Sequence, residues 1–144
     1  MSSSPPLIDL APGLSAAGDL ARDDIEALAR DGVRTIVNNR PDNEDPGQLP
    51  AAEAKRIAEA HGIAYHHIPF TATTLTRAEV DAFEQVVASA EEPIVVHCRS
   101  GTRSTLLWAL ARMREGADPF ALIDQAARQG IDIAALPAVA ARLG

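Results

Sequence analysis

Cys98, the one cysteine in this 144-residue chain, stands in the run His97-Cys98-Arg99-Ser100-Gly101-Thr102-Arg103-Ser104. The residues before it, Pro93-Ile94-Val95-Val96, read as a short apolar strand, and Leu106-Leu107-Trp108-Ala109-Leu110 after it continue as an amphipathic helix. A turn between a strand and a helix start exposes backbone amides that form an anion-binding nest. The same amides favour a thiolate over a thiol. A cysteine in an arbitrary setting reads as a small buried hydrophobe. Here the glycine turn and the two flanking arginines select a nucleophile that attacks a small oxyanion or sulfur species.

Within that loop the residue types divide the work. Arg103 is the anion clamp, because a guanidinium presents a fork of donors to an oxyanion. Arg99, Ser100, Gly101 and Thr102 complete the anion-binding turn, and Gly101 permits a backbone shape other residues resist. Arg99 is open to a second reading, an exposed solubilising charge. Ser104 is assigned to the catalytic set as a donor to the sulfur, with tidying of the helix start as its alternative. His97 reads as an anchor of the loop rather than a base, since an activated thiolate needs none.

The elements that must position these groups follow from periodicity and punctuation. Leu7 to Leu14 supplies a short strand or irregular lead-in with a turn near Pro12-Gly13, and a helix runs from Ala21 to Arg30. Val33 to Asn38 is a buried strand, and Asn39 to Pro50, rich in Asn, Asp, Pro and Gly, is a loop. A helix at 51–60 and a strand at 63–70 come next. Thr76-Arg77-Ala78-Glu79 then has capping-box spacing ahead of Val80, Phe83, Val86 and Val87 on one helical face. The cysteine helix spans about 102–115, Asp118-Pro119 starts another reaching about Arg128, and a short helix follows Asp132.

Strands alternating with helices predict an α/β domain with a mostly parallel central sheet flanked by helices. Ligands of such sheets gather beyond the carboxyl ends of the strands. Three loops are therefore expected at one pocket: the Cys98 loop, the turn carrying Asn38, Asn39 and Arg40, and Phe70 to Thr74. The two asparagines are candidates for positioning their loop. Arg40 has two readings, anion attraction and a structural role before Pro41.

The whole chain sets outer bounds. With 47% hydrophobic residues it is an ordinary globular sequence, read as a loosely held tail at 1–6 and one catalytic domain at 7–144. Twenty acidic against 13 basic residues give a net charge of -7, which argues against non-specific nucleic-acid binding. Trp108 alone is no base-stacking platform and reads as core. A single thiol excludes an internal disulfide and fits a reducing compartment. With no signal-peptide pattern and no apolar stretch of membrane-spanning length, the expectation is a cytoplasmic protein without a membrane partner. His61, His66 and His67 raise a metal site, but adjacent strand residues face opposite ways and no partner cluster accompanies them, so no metal or other cofactor is assigned. Nothing in the sequence specifies an oligomer.

Three segments together resemble a bacterial phosphatase-like domain family also found in beta-lactamase-hydrolase-like proteins. They are Gly32-Val33-Arg34-Thr35-Ile36-Val37-Asn38-Asn39-Arg40-Pro41, His61-Gly62-Ile63-Ala64-Tyr65-His66-His67-Ile68-Pro69, and His97 to Ser104 with Leu107-Trp108. The resemblance implies a dual-specificity-phosphatase fold with the active cysteine between the last sheet strand and its helix. The loop departs from the phosphatase pattern of His-Cys, five residues and Arg. Ser104 occupies the arginine position, and Arg103 arrives one residue early. Cys98, four residues and Arg103 instead resembles the rhodanese-type sulfurtransferase loop.

A second departure concerns the general acid that protonates a leaving oxygen. Phe70-Thr71-Ala72-Thr73-Thr74-Leu75 holds no carboxylate, Asp81 reads as solvated helix surface, and Asp42, Glu44 and Asp45 read as an exposed loop that could supply the acid only by folding over the pocket. Both departures favour a sulfurtransferase that forms a Cys98 persulfide from thiosulfate or a related donor and passes the sulfur to a thiol or cyanide. The alternatives are a phosphatase hydrolysing a phosphomonoester through a phosphocysteine, and an anion-binding or redox-sensing domain that does not turn over.

Overall fold

The fold is built on four-residue strands, described here with the rest of residues 3–144 from a computed structural model. The strands are β1 (Ile8–Ala11), β2 (Leu14–Ala17), β3 (Thr35–Asn38), β4 (Ala64–His67) and β5 (Ile94–His97), and they pair in the order β1-β2-β5-β3-β4. The β1–β2 pair is antiparallel, and β2–β5, β5–β3 and β3–β4 are parallel. β5 is central and buried at all four positions, as the unbroken Ile94-Val95-Val96 run requires of a strand covered on both faces.

Among the described residues six helices cover the sheet: α1 (Arg22–Arg30), α2 (Ala51–Ala60), α3 (Arg77–Ser89), α4 (Thr102–Arg114), α5 (Pro119–Ala127) and α6 (Leu136–Leu143). Successive strand residues feed opposite cores. Val95 and Ile36 pack with Ile25, Leu28 and Ile57 of α1 and α2, whereas Val96 and Val37 pack with Phe83, Leu107, Trp108 and Leu136 on the other side. The result is a single compact α/β domain with a mostly parallel sheet between helical layers. Thr76 caps α3 with the expected box, its hydroxyl accepting from the Ala78 amide while Glu79 accepts from the Thr76 amide at 2.7 Å.

Two features differ from the sequence expectation. The lead-in at 7–14 is a hairpin whose second strand continues to Ala17. Leu14-Ser15-Ala16-Ala17 has neither alternation nor β-branched residues, and its strand state comes from pairing with β5. The strand expected at 63–70 ends at His67. Of the tail at 1–6, residues 1 and 2 lie outside the described residues, and Ser4 bonds the Asp31 carboxylate. Among the described residues no helix is long and apolar enough to cross a membrane.

Candidate active site

The parallel register aligns Asn38 with both His97 and His67, so β3, β4 and β5 release their loops at one end of the sheet. This is the convergence expected of the three loops. A fourth segment joins them from β2. The Cys98 amide donates to the Ala17 carbonyl at 3.2 Å, and the Asp19 amide donates to the Arg99 carbonyl at 3.1 Å. Gly18 lies between, where a side-chain carbon would come within 3.1 Å of the Arg99 carbonyl oxygen. The cysteine loop is thus laced to the end of β2.

Cys98 is buried, and the Gly101 amide donates to its Sγ at 3.1 Å. Gly101 holds φ 95° at the start of α4, a left-handed conformation that turns its N–H back onto the sulfur. The Thr105 hydroxyl donates to the Gly101 carbonyl at 2.7 Å, and the Ser100 hydroxyl donates to Thr102 Oγ1 at 3.2 Å. Thr102 opens α4, so the first helical amides lie next to the cysteine turn.

Arg103 does not stand alone. Its Nη1 and Nη2 each donate to Glu44 at 2.8 Å, and Nη1 also donates to the Phe70 carbonyl at 3.0 Å. The guanidinium therefore joins the loop after β3 to the loop after β4. The bond to Glu44 raises the arginine's affinity for its proton, and nearby Cys98 adds to the effect. Glu44 is held below the usual carboxylate range, chiefly by Arg103 and further by Arg40.

Arg40 is taken up by ion pairs within the fold. Its side chain is only 2% exposed and meets Asp19 at 2.8 Å, Glu44 at 2.9 Å and Asp45. Burial alone would lower its pKa, but the bonds to these carboxylates raise it overall. Arg99 is largely exposed and pairs with Asp45 at 3.1 Å. The acidic loop expected to be an exposed surface feature thus folds onto the cysteine loop. Asp19, Glu44 and Asp45 are matched there against Arg40, Arg99 and Arg103.

The remaining predicted residues brace this arrangement. Ser104 is fully buried, and its hydroxyl donates to Asn39 Oδ1 at 2.8 Å rather than to the sulfur. Asn39 in turn donates to the Ile68 carbonyl at 3.0 Å, so it ties α4 to the end of β4. Asn38 accepts from the Arg40 amide at 2.7 Å and donates to Tyr65 Oη at 2.9 Å. His97 Nδ1 lies 3.3 Å from the Cys98 carbonyl, and burial pushes its pKa down to about 4, which suits an anchor.

Two of the other histidines are engaged separately by backbone carbonyls. His67 Nε2 donates to the Arg40 carbonyl at 2.8 Å, and His61 Nδ1 lies 2.9 Å from the Ile57 carbonyl. Among the described residues, no three His, Cys, Asp or Glu side chains gather as a metal site. Glu44 and Asp19 are the residues that sequence reasoning under-read. Nothing local marks either one, and only the strand order brings them to Cys98. A cleft of about 550 Å³ between the Pro12 turn and the distal ends of α3 and α4 lies at the opposite end of the sheet, without Cys98 in its lining.

The comparisons with known proteins agree with this geometry. The chain is 37% identical over 111 residues to a beta-lactamase hydrolase-like protein of Xylella fastidiosa, covering 76% of this chain and 26% of that protein. It is 39% identical over 103 residues to a protein of the same description from Agrobacterium fabrum, covering 72% of this chain and 24% of that one. The chain thus spans about a quarter of the length of these relatives. The crystal structure of a candidate phosphatase from Neisseria meningitidis superimposes with a TM-score of 0.82 at 33% identity, covering 92% of this chain and 94% of that one. These likenesses point to a phosphatase-like domain and do not specifically support sulfur transfer. With its profile matching residues 7–115, the chain belongs to the family described as beta-lactamase hydrolase-like protein, phosphatase-like domain.

Proposed function

We propose that this domain is a phosphatase that uses Cys98 as nucleophile and passes through a phosphocysteine. The observation that carries the reading is the Gly101 amide on Cys98 Sγ at 3.1 Å, at a helix start with Arg103 close by. The sulfur attacks phosphorus, the loop amides and Arg103 bind the phosphoryl oxygens, and water then cleaves the S–P bond. Placement and fixed donors supply most of the rate enhancement. Glu44 holds the Arg103 plane in the manner of a fork on a fork, which leaves Arg103 oriented before substrate arrives.

The likeness to phosphatase-like relatives supports this reading over sulfur transfer, the function favoured by sequence alone. One observation keeps sulfur transfer as a second reading: Arg103 lies one residue nearer the cysteine than the phosphatase pattern places it. The test is turnover of an aryl phosphate by the wild type and by Cys98→Ser, in parallel with thiosulfate followed by cyanide. Phosphate release that disappears in Cys98→Ser, without thiocyanate, is expected. Thiocyanate production without phosphate release reverses the order of the two readings.

A further inference from the structure

A phosphoryl-transfer site ordinarily needs an acid for the departing oxygen. Among the described residues, the three carboxylates that meet Arg103, Arg99 or Arg40 are each held in an ion pair, while Asp42 is turned to the start of α2, where it accepts from the Ala51 amide at 2.9 Å. Glu44 accepts from both terminal nitrogens of Arg103 and from Arg40 Nε, and those bonds hold it ionised. Asp45 accepts from Arg40 and Arg99, and Asp19 pairs with Arg40 at 2.8 Å. His97 is buried and uncharged at neutral pH. The loop after β4, whose Phe70 carbonyl touches Arg103, offers only hydroxyls: the Thr71 amide donates to Thr74 Oγ1 at 2.7 Å, and the Thr71 and Thr74 hydroxyls lie 3.1 Å apart. A threonine hydroxyl is too weak an acid to protonate a leaving group.

We propose that the substrates are phosphoryl groups on leaving groups that depart as stable anions. Phosphoric anhydrides, acyl phosphates and aryl phosphates belong to this class, and alkyl phosphate esters do not. This inference rests on the phosphatase reading. In the first step the Cys98 thiolate forms an S–P bond while the P–O bond breaks, and the electron pair leaves on the oxygen without a proton. In the second step water attacks the phosphocysteine. The S–P bond breaks, the thiolate returns, and both protons of the water stay on the released phosphate as the dihydrogen anion. Charge and atoms balance at each step with water as the only co-reactant.

The leaving group therefore carries its full charge in the first transition state. Each added unit of leaving-group pKa then costs close to tenfold in rate, about 1.4 kcal/mol. A working general acid contributes about 10²–10⁴-fold and flattens that dependence. The test uses the intact protein and measures kcat/KM across substituted phenyl phosphates from dinitrophenol to phenol, with acetyl phosphate and glycerol phosphate added. The expected result is a fall of about tenfold per unit of phenol pKa, efficient acetyl phosphate cleavage, and negligible glycerol phosphate cleavage. Asp45→Asn and Asp19→Asn are expected to keep the same slope, whatever they do to the absolute rate. A shallow slope that steepens in either variant identifies that aspartate as the acid and overturns the inference, while the phosphatase reading stands. If no phosphate is cleaved in a Cys98-dependent way, the phosphatase reading falls and takes the inference with it.

Discussion

At Arg103, Glu44 takes two donors of the guanidinium and the Phe70 carbonyl shares one of them. A lysine would keep the charge but not the fork, so it could not hold Glu44 bidentately while serving an oxyanion. Arg103→Lys is accordingly expected to lower kcat/KM for an aryl phosphate by about 100-fold, roughly 3 kcal/mol, the range found when one fixed oxyanion donor is lost. Steady-state kinetics on the purified variant checks this, and a loss under threefold would place Arg103 outside the chemistry. The cysteine, the glycine turn and Arg103 were legible in the sequence because they are contiguous. Glu44 was not, since its partner is 59 residues away and the Asn39–Pro50 composition reads as solvent-facing. Ser104 had two readings, a donor to the sulfur or a stabiliser of the helix start, and neither named its observed partner. Its hydroxyl meets Asn39, a contact set by how α4 lies against β3.

The loop after β3 is the element that the sequence under-described. Its composition predicts irregular backbone, and the structure agrees, but Arg40 converts it from a surface excursion into part of the site. A nearly buried guanidinium holds Asp19, Glu44 and Asp45 together. Removing one partner of a fully buried pair costs about 3–5 kcal/mol. Asp19 and Asp45 are partly exposed and can turn to water, so Arg40→Met is expected to cost less, about 2–3 kcal/mol. Urea unfolding should show the lower midpoint, and limited proteolysis should cut the variant within 41–50 before the wild type. An unchanged midpoint would mean that the ion pairs contribute nothing to the fold. β2 teaches a related lesson. Its small residues carry no strand signal, yet pairing with β5 fixes them and delivers Asp19 to the cysteine loop.

Across the whole molecule the parallel strand order gathers the chemistry at one end, and that much followed from the alternation of apolar runs and helical periods. The chain carries a net charge of -7, but around Cys98 three arginines are balanced by three carboxylates, a matching that only the fold reveals. Global stability is tied to the same region through His97. The unfolded chain binds its proton near the ordinary histidine value of 6.5, whereas the folded chain refuses it until about 4. The contribution to stability is full above 6.5 and falls as pH drops through that window, by about 2 kcal/mol between pH 7 and pH 5. Urea titrations at the two pH values should show this loss, and His97→Gln should flatten it; a wild type equally stable at both would contradict a buried neutral imidazole. The central claim, a covalent phosphoryl transfer on Cys98, is tested most directly by intact-protein mass spectrometry after acid quench of a single turnover with dinitrophenyl phosphate. One phosphoryl group on the wild type, mapped to Cys98 and absent from Cys98→Ser, is the predicted result. Product formed at full rate by Cys98→Ser would contradict it.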